Sequence, residues 1–456
     1  MLLDDPVTTD DPFATLQPET LQRAAACLRS LLSYNHVSVT SAAGGPPTGD
    51  EYMACDGGDA LVTTRLFLFG HTIATSEVSS ALGAATLAEL MRYGLVRGDD
   101  AQLHSPVQVY PLSIQGVTSD TTLLLCTDWD VANPRRDAVM PIGVDSLQLA
   151  LALPPSQCAG RRVLDVCCGS GIHGLVAAAY GASCVLASDI SPRAVQFARF
   201  NAALNQASVV TVAEPGELFG PADAFLQGEA PFDLIVANPP FVACPTSLQL
   251  APALYVSGGT DGADVVRSLI RGASRRLSPG GCLMLVAQLP NIDQAHSWLL
   301  DACDDCPAVE LIVLYDERHT QSADRYAADR AADCAANESR REWAAALKAA
   351  GVQSMGFAVA VARFNSAAAG GAARRTGSRV RVRVPGGTRA TATMLSAGGL
   401  RQLRRVTRAA LEGLEPLTAE IAEEPAQISR GAFGAFARRC RGAAAGAHPS
   451  RSGAPV

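Results

Sequence analysis

No stretch of this 456-residue chain reaches the ~18 uninterrupted apolar residues of a membrane-spanning helix, although 48% of its residues are hydrophobic. That apolar content is available instead for a sizeable core, and the length allows two or three domains. A second CxxC pair is also missing. Cys303 and Cys306 form a lone CxxC with no partner at zinc spacing, and the 13 cysteines are odd in number and scattered. Reduced thiols are expected, with no metal site. The opening "MLLDDPVTTDDPF" lacks a basic n-region and a long apolar stretch, so it does not read as a secretory signal. It also lacks the arginine-rich, acid-poor character of a transit peptide. A cytoplasmic protein with no membrane partner is the expectation. Lysine is almost absent, Lys348 being the only one. With abundant Ala and Gly, this bias points to a GC-rich genome more than to selection for guanidinium chemistry.

Charge is distributed unevenly. The net value is −7, yet the stretch from Asn365 onward carries 15 Arg against 5 Glu. Residues 1–18 read as a disordered lead. Residues 19–121 read as a helical, winged-helix-like domain, in which "GLVRGDDAQLHSPVQVYPL" would supply a two-stranded wing. Nucleic-acid or protein docking is one role for it, a helical cap on the next domain another. Its second candidate helix, "TLAELMRYG", carries only Arg92 as a base, a poor footprint for DNA, which favours the cap. From 122 to 364, apolar runs such as "LLLCTDW", "RRVLDVCCG", "CVLASDI", "FDLIVANPP" and "GFAVAVARF" alternate with helical patterns. That alternation predicts an α/β domain around a mostly parallel sheet. Residues 365–456 form an Arg/Ala/Gly-rich, partly disordered tail in which "SRVRVRVPGGTRATATML" could make a hairpin.

Two motifs carry chemistry. In "VLDVCCGSGIHG", Gly169, Gly171 and Gly174 stand in G-x-G-x-x-G spacing between a strand and a helix, which suits close approach of backbone to a ligand. Asp189, 20 residues after Gly169, is placed to accept from two ribose hydroxyls. Asp165 discriminates between cofactors. A carboxylate beside a pyrophosphate is repelled, whereas an ammonium or sulfonium is attracted, and S-adenosylmethionine has both cations and no phosphate. A nicotinamide cofactor is disfavoured on that ground. His173 reads as a helix-face residue with no assigned chemistry.

The second motif is Asn238-Pro239-Pro240-Phe241, ending the run "DLIVANPPF". An amide or exocyclic ring nitrogen is a poor nucleophile because its lone pair is delocalised, and its two N–H groups need acceptors in a dry site. The Asn238 side-chain carbonyl and the Pro239 backbone carbonyl could accept both. The prolines would stiffen the corner, and Phe241 would give a platform for a planar target. Cys244 reads as a packed thiol, since no base stands beside it in sequence.

Taken together, the Asp165-to-Gly171 turn, Asp189 and the Asn238–Phe241 corner resemble class I adenosylmethionine-dependent methyltransferases. They are most similar to the small-domain, amino-methylating branch, and within it to the protein-(glutamine-N5) methyltransferases. Those carry a GG-x-DG-x-D-x-x-R stretch after the corner, and here "SGGTDGADVVRSLI" follows. The resemblance covers about residues 139–364. It implies a Rossmann-like seven-stranded sheet whose last strand, "GFAVAVARF", is antiparallel. It also implies that Asp165, Gly169 and Gly171 hold the methionine end, Asp189 the ribose, and Glu217 and Leu218 the adenine. Asn238 would lie against both cofactor and acceptor. "MPIGVDSLQLA" departs from the arginine-containing segment of the relatives, so it receives no role. The expected activity is N-methylation of a protein glutamine side chain. The alternatives are an adenine N6 or guanine N2 of rRNA or tRNA, with weak RNA contact through the basic tail, and a non-catalytic docking protein.

Overall fold

Strands buried on both faces read as continuous apolar runs, because neither face leaves room for alternating polar residues. The computed structural model, which describes residues 13, 17–32, 59–115, 120–129, 135–248, 253–303, 309–333, 340–365 and 375–381, has such strands at its centre.

The chain begins with helix α1 (Pro18–Leu31). There follow α2 (Asp59–Phe67), β1 (Ile73–Ala74), α3 (Thr75–Leu82), α4 (Ala84–Arg92), β2 (Arg97–Gly98) and β3 (Gln102–His104). Strands β1, β3 and β2 pair antiparallel, in the chain order α2-β1-α3-α4-β2-β3. Gly83, at φ 80°, turns α3 into α4. Arg92 pairs with Glu89 at 3.3 Å and lies over the Tyr93 ring, so α4 offers no unneutralised arginine to a phosphate backbone.

Next come strands β4 (Gln108–Gln115) and β5 (Asp120–Thr127), then α5 (Val144–Ala152), α6 (Pro155–Cys158), β6 (Arg162–Val166), α7 (Ile172–Ala179), β7 (Cys184–Ser188), α8 (Pro192–Leu204), β8 (Val210–Val212), α9 (Gly220–Phe225) and β9 (Phe232–Ala237). The remainder is α10 (Asp264–Ala273), β10 (Leu277–Pro290), α11 (Ala295–Asp301), β11 (Val309–Ser322), α12 (Ala323–Asp333), α13 (Arg340–Ala349), β12 (Ser354–Phe364) and β13 (Arg375–Arg381). The sheet runs β8-β7-β6-β9-β10-β12-β11-β13. Strands β6 to β10 are parallel, and β12 is antiparallel to both β10 and β11, as expected for "GFAVAVARF". Side chains alternate between two cores. Val163, Leu234, Met284 and Val286 share a core with α5, α7 and α8, while Leu164, Ile235, Leu283 and Leu285 share one with α10 and α11. Each such fully buried side chain contributes about 1.5–3 kcal/mol.

Three expectations are corrected. Among the described residues the sheet has eight strands, because β13 adds to β11 in parallel register, from Val309 opposite Arg375 to Tyr315 opposite Arg381. It falls in the stretch read as tail and overlaps the start of the segment read there as a possible hairpin. "LLLCTDW" does not join the central sheet: among the described residues β5 pairs only with β4, its other edge being met by side chains instead of a strand. Asn205 accepts from Leu124 N and donates to Leu124 O, both at 2.8 Å, and Asn201 does the same for Cys126 at 2.8 and 2.9 Å. Spaced four apart, on the last turn of α8 and at its C-cap, the two amides stand in for a neighbouring strand. Finally, Phe13, read as part of a disordered lead, is fully buried, stacked on Phe200 at 4.4 Å and edge-on to Phe197. No helix among the described residues is long and apolar enough to cross a membrane.

Candidate active site

The chain leaves β6 toward β7 and β8, then returns to the other side of β6 with β9, so the carboxyl ends of β6 and β9 open a crevice. Register aligns what emerges there. Val166 is opposite both Ser188 and Ala237, so the glycine turn, Asp189 and Asn238 each start one residue beyond a shared level.

The turn is built from left-handed residues: Cys167 at φ 57°, Gly169 at 52° and Gly171 at 79°, the last being the N-cap of α7. A left-handed Cys costs about 1–2 kcal/mol, against little for Gly. A Cβ on Gly169 would meet nothing within 4 Å, so the space above the turn is open. A Cβ on Gly174 would lie 3.1 Å from Val185 Cγ1, so that glycine lets α7 settle onto the sheet.

Asp165 lies beneath this turn. It is fully buried, and its Oδ2 accepts from Gly174 N at 2.8 Å while its Oδ1 has no hydrogen-bond partner. The resemblance assigns this carboxyl to the methionine end, and it stands directly beneath the turn that would receive it. The carboxyl organises the turn by accepting from the Gly174 N–H. Burial pushes its pKa up to about 7, opposed by the Gly174 N–H and aided by the nearby Asp189 carboxylate. His173 Nε2 stands 3.2 Å from Ser146 O, and a carbonyl only accepts, so the ring proton is on Nε2. Nδ1 is then bare, 3.9 Å from Asp165 Oδ1, and burial lowers the histidine to about 4, keeping it neutral. Because the Asp165 pKa is raised from 3.8 to about 7 in the folded state, its share of stability is full below pH ~4 and lost as pH rises to ~7. Asp165→Asn removes that titration and turns an N–H toward His173 Nδ1. Its melting temperature should exceed that of the native protein by several degrees at pH 7.5 and by little at pH 4.5. A difference that does not vary with pH in thermal unfolding would overturn this account.

Asp189 clamps the turn from the other side. Its Oδ2 accepts from Gly169 N and its Oδ1 from Ser191 N, both at 2.9 Å, leaving each oxygen a further lone pair for a hydroxyl. Ser191 in turn caps α8, accepting from Ala194 N, with Pro192 at the first helical position. Ile190 was missed in the sequence, yet at 54% it is the most exposed large apolar residue described. An apolar residue directly after a strand-ending acid was the available signal. Gly216 N donates to Asp189 O at 3.0 Å, bringing the loop with exposed Glu217 and left-handed, half-buried Leu218 to the same cleft. Open space over Gly169, a carboxylate with spare lone pairs and an apolar rim fit an adenosine cofactor. The two carboxylates favour a cationic one.

Asn238 follows β9. Its Nδ2 donates to Asp145 Oδ2 at 3.0 Å and to Ser146 Oγ at 3.3 Å, and its Oδ1 is buried with no partner. Pro239 is buried, and Phe241 stands edge-on to Phe357 with centroids 6.0 Å apart. The "SGGTDG" stretch backs this corner. Gly258 N donates to Val242 O and Cys244 N to Gly259 O, and a Cβ on Gly258 would lie 2.7 Å from Phe241 Cα. Arg267 grips Asp261 through both guanidinium nitrogens, at 3.0 and 2.5 Å, holding that loop. Tyr326 on α12 accepts from Ala243 N at 3.1 Å, so the α12–α13 pair packs beside the corner. Burial raises the half-buried Cys244 above its ordinary value, and it stays a thiol. Cys303 is buried, and Cys306 lies outside the described residues. Asp145 and Ser146 come from the segment left without a role; 93 residues separate Asp145 from Asn238, and no local pattern links them.

Comparison with known proteins accords with this geometry. Residues 144–302 match the family described as Methyltransferase small domain. Over 131 residues the chain is 36% identical to a ribosomal protein uL3 glutamine methyltransferase of Bradyrhizobium diazoefficiens, covering 27% of this chain and 40% of that protein. Over 133 residues it is 41% identical to a release factor glutamine methyltransferase of Deinococcus radiodurans, covering 27% and 44% respectively. The chain thus spans less than half the length of these curated relatives. The 16S rRNA N2 G1207 methyltransferase of T. thermophilus, solved with AdoMet and guanosine, is 21% identical with a TM-score of 0.30, covering 59% of this chain and 67% of that one. The matched segment is similar to the Methyltransferase small domain family. It is similar also to the protein glutamine methyltransferases.

Proposed function

We propose that the protein methylates the side-chain amide nitrogen of glutamine in a protein, with S-adenosylmethionine as donor. One observation carries the reading: the Asn238 amide is tied down at its nitrogen end while its Oδ1 stays buried without a partner, ready to accept. The matched family and the two relatives named for glutamine support it.

The cofactor supplies an electrophilic methyl group on a sulfonium. Asp189 would take the ribose hydroxyls, Ile190, Glu217 and Leu218 would border the adenine, and the open face of Gly169 would receive the methionine end. Asn238 Oδ1 and the Pro239 carbonyl accept the two N–H bonds of the incoming amide, which turns the nitrogen lone pair toward the methyl. As the nitrogen–carbon bond forms, transfer would break the carbon–sulfur bond, its electron pair staying on sulfur as a neutral thioether. One of these N–H protons would leave through its acceptor to water. Phe241 supports the planar amide. Positioning of this kind can contribute about 7–11 kcal/mol in favourable cases.

The test is transfer of a labelled methyl group to a bacterial lysate. The label should vanish with protease, resist ribonuclease, and map to a glutamine residue by mass spectrometry. Label that follows RNA would replace this reading with base methylation.

A further inference from the structure

We infer that Asp145 is a positioning residue for methyl transfer: its carboxylate holds the Asn238 side chain with the carbonyl oxygen toward the acceptor nitrogen. This inference rests on the glutamine reading above. The two ends of an asparagine amide are nearly the same size but opposite in hydrogen-bonding sense. Turned over, Asn238 would present N–H groups to an acceptor that itself brings N–H groups, and would place its own oxygen against Asp145 Oδ2. A carboxylate only accepts, so a 3.0 Å contact with it selects one of the two orientations. Ser146 Oγ, at 3.3 Å, supports the same choice less strongly, because a hydroxyl can donate or accept.

Burial of Asp145 raises its pKa, and the Asn238 N–H and the helix N-terminus oppose that by favouring the charged, accepting form. Asp145 is 7% exposed in the first turn of α5, where the helix N-terminus favours negative charge. A Cβ on Gly143 would lie 2.6 Å from Asp145 Oδ1, so the glycine before the helix leaves room for the carboxylate. The same helical turn is fixed to α7 by His173 Nε2 donating to Ser146 O. Asn238 is therefore oriented by a helix that is itself tied to the glycine turn. Sites in which buried polar groups are locked by a second set of partners react faster because less reorganisation is needed.

The experiment compares the native protein with Asp145→Asn and Asp145→Ala in methyl transfer to a glutamine-containing peptide. Asparagine at 145 can still accept but no longer enforces the choice, so kcat should fall about fivefold, and alanine should lower it about 30-fold. KM for the peptide and Kd for S-adenosylmethionine should stay within about twofold. Native-like kcat in both variants would overturn the inference, as would loss of cofactor affinity in step with kcat. A second readout needs no turnover. In protein labelled with 15N-asparagine, the Asn238 side-chain amide, assigned by its disappearance in Asn238→Ala, should exchange slowly with solvent. In Asp145→Ala it should exchange at least tenfold faster, and equal rates would overturn the inference. If the native protein methylates no glutamine peptide, the glutamine reading fails, and amide exchange alone then decides what Asp145 does.

Discussion

Asn238→Ala is expected to lower kcat for methyl transfer about a thousandfold while leaving S-adenosylmethionine affinity within a few-fold. The two effects separate because of where the residue stands. Its carbonyl oxygen is buried and unpaired at the end of β9, whereas the backbone amides of the glycine turn and the Asp189 carboxylate lie across the crevice on β6 and β7. Deleting one preorganised partner of a reacting group costs about 10²–10³ in rate. Here the acceptor nitrogen also loses the contact that turns its lone pair, so the upper end of that range applies. Alanine further leaves the Asp145 carboxylate buried without its donor, at about 1–3 kcal/mol of stability. Thermal unfolding therefore accompanies the kinetics. A folded variant that binds cofactor and retains native turnover would refute the acceptor role of Asn238.

The elements that were legible in the sequence are those whose signal is local. β6, β7 and β9 are short apolar runs ending in turn residues, and two-sided burial requires that pattern. The glycine turn was legible because left-handed φ values select glycine, and Asp189 because spacing alone placed it at the end of the next strand. What stayed hidden depends on partners distant in the chain. β5 has the composition of a central strand, but Asn201 and Asn205 fill its edge, and their role appears only when α8 lies beside it. Asp145 looks like an ordinary first-turn acid until Asn238 is placed against it. The burial of Asp165 beneath the turn was equally invisible, since it depends on the close seating of α7 that Gly174 permits.

Asp189→Ala should act in the opposite sense to Asn238→Ala, weakening S-adenosylmethionine binding by at least a hundredfold while sparing turnover at saturating cofactor. A carboxylate receiving two hydroxyls makes two charge-assisted hydrogen bonds, each worth about 1.5–3 kcal/mol, and about 2.7 kcal/mol already corresponds to a hundredfold. The loss is not confined to the ligand. Asp189 also accepts from Gly169 N and Ser191 N, so alanine releases the first glycine of the turn and the start of α8 together. Asp189→Asn separates these contributions, because it keeps one oxygen for the backbone but lacks the charge. Its Kd should fall between the other two, and calorimetry measures all three. Unchanged affinity in the alanine variant would remove Asp189 from the cofactor site. Alanine and asparagine variants equal in Kd would show that charge, not the backbone clamp, accounts for the binding.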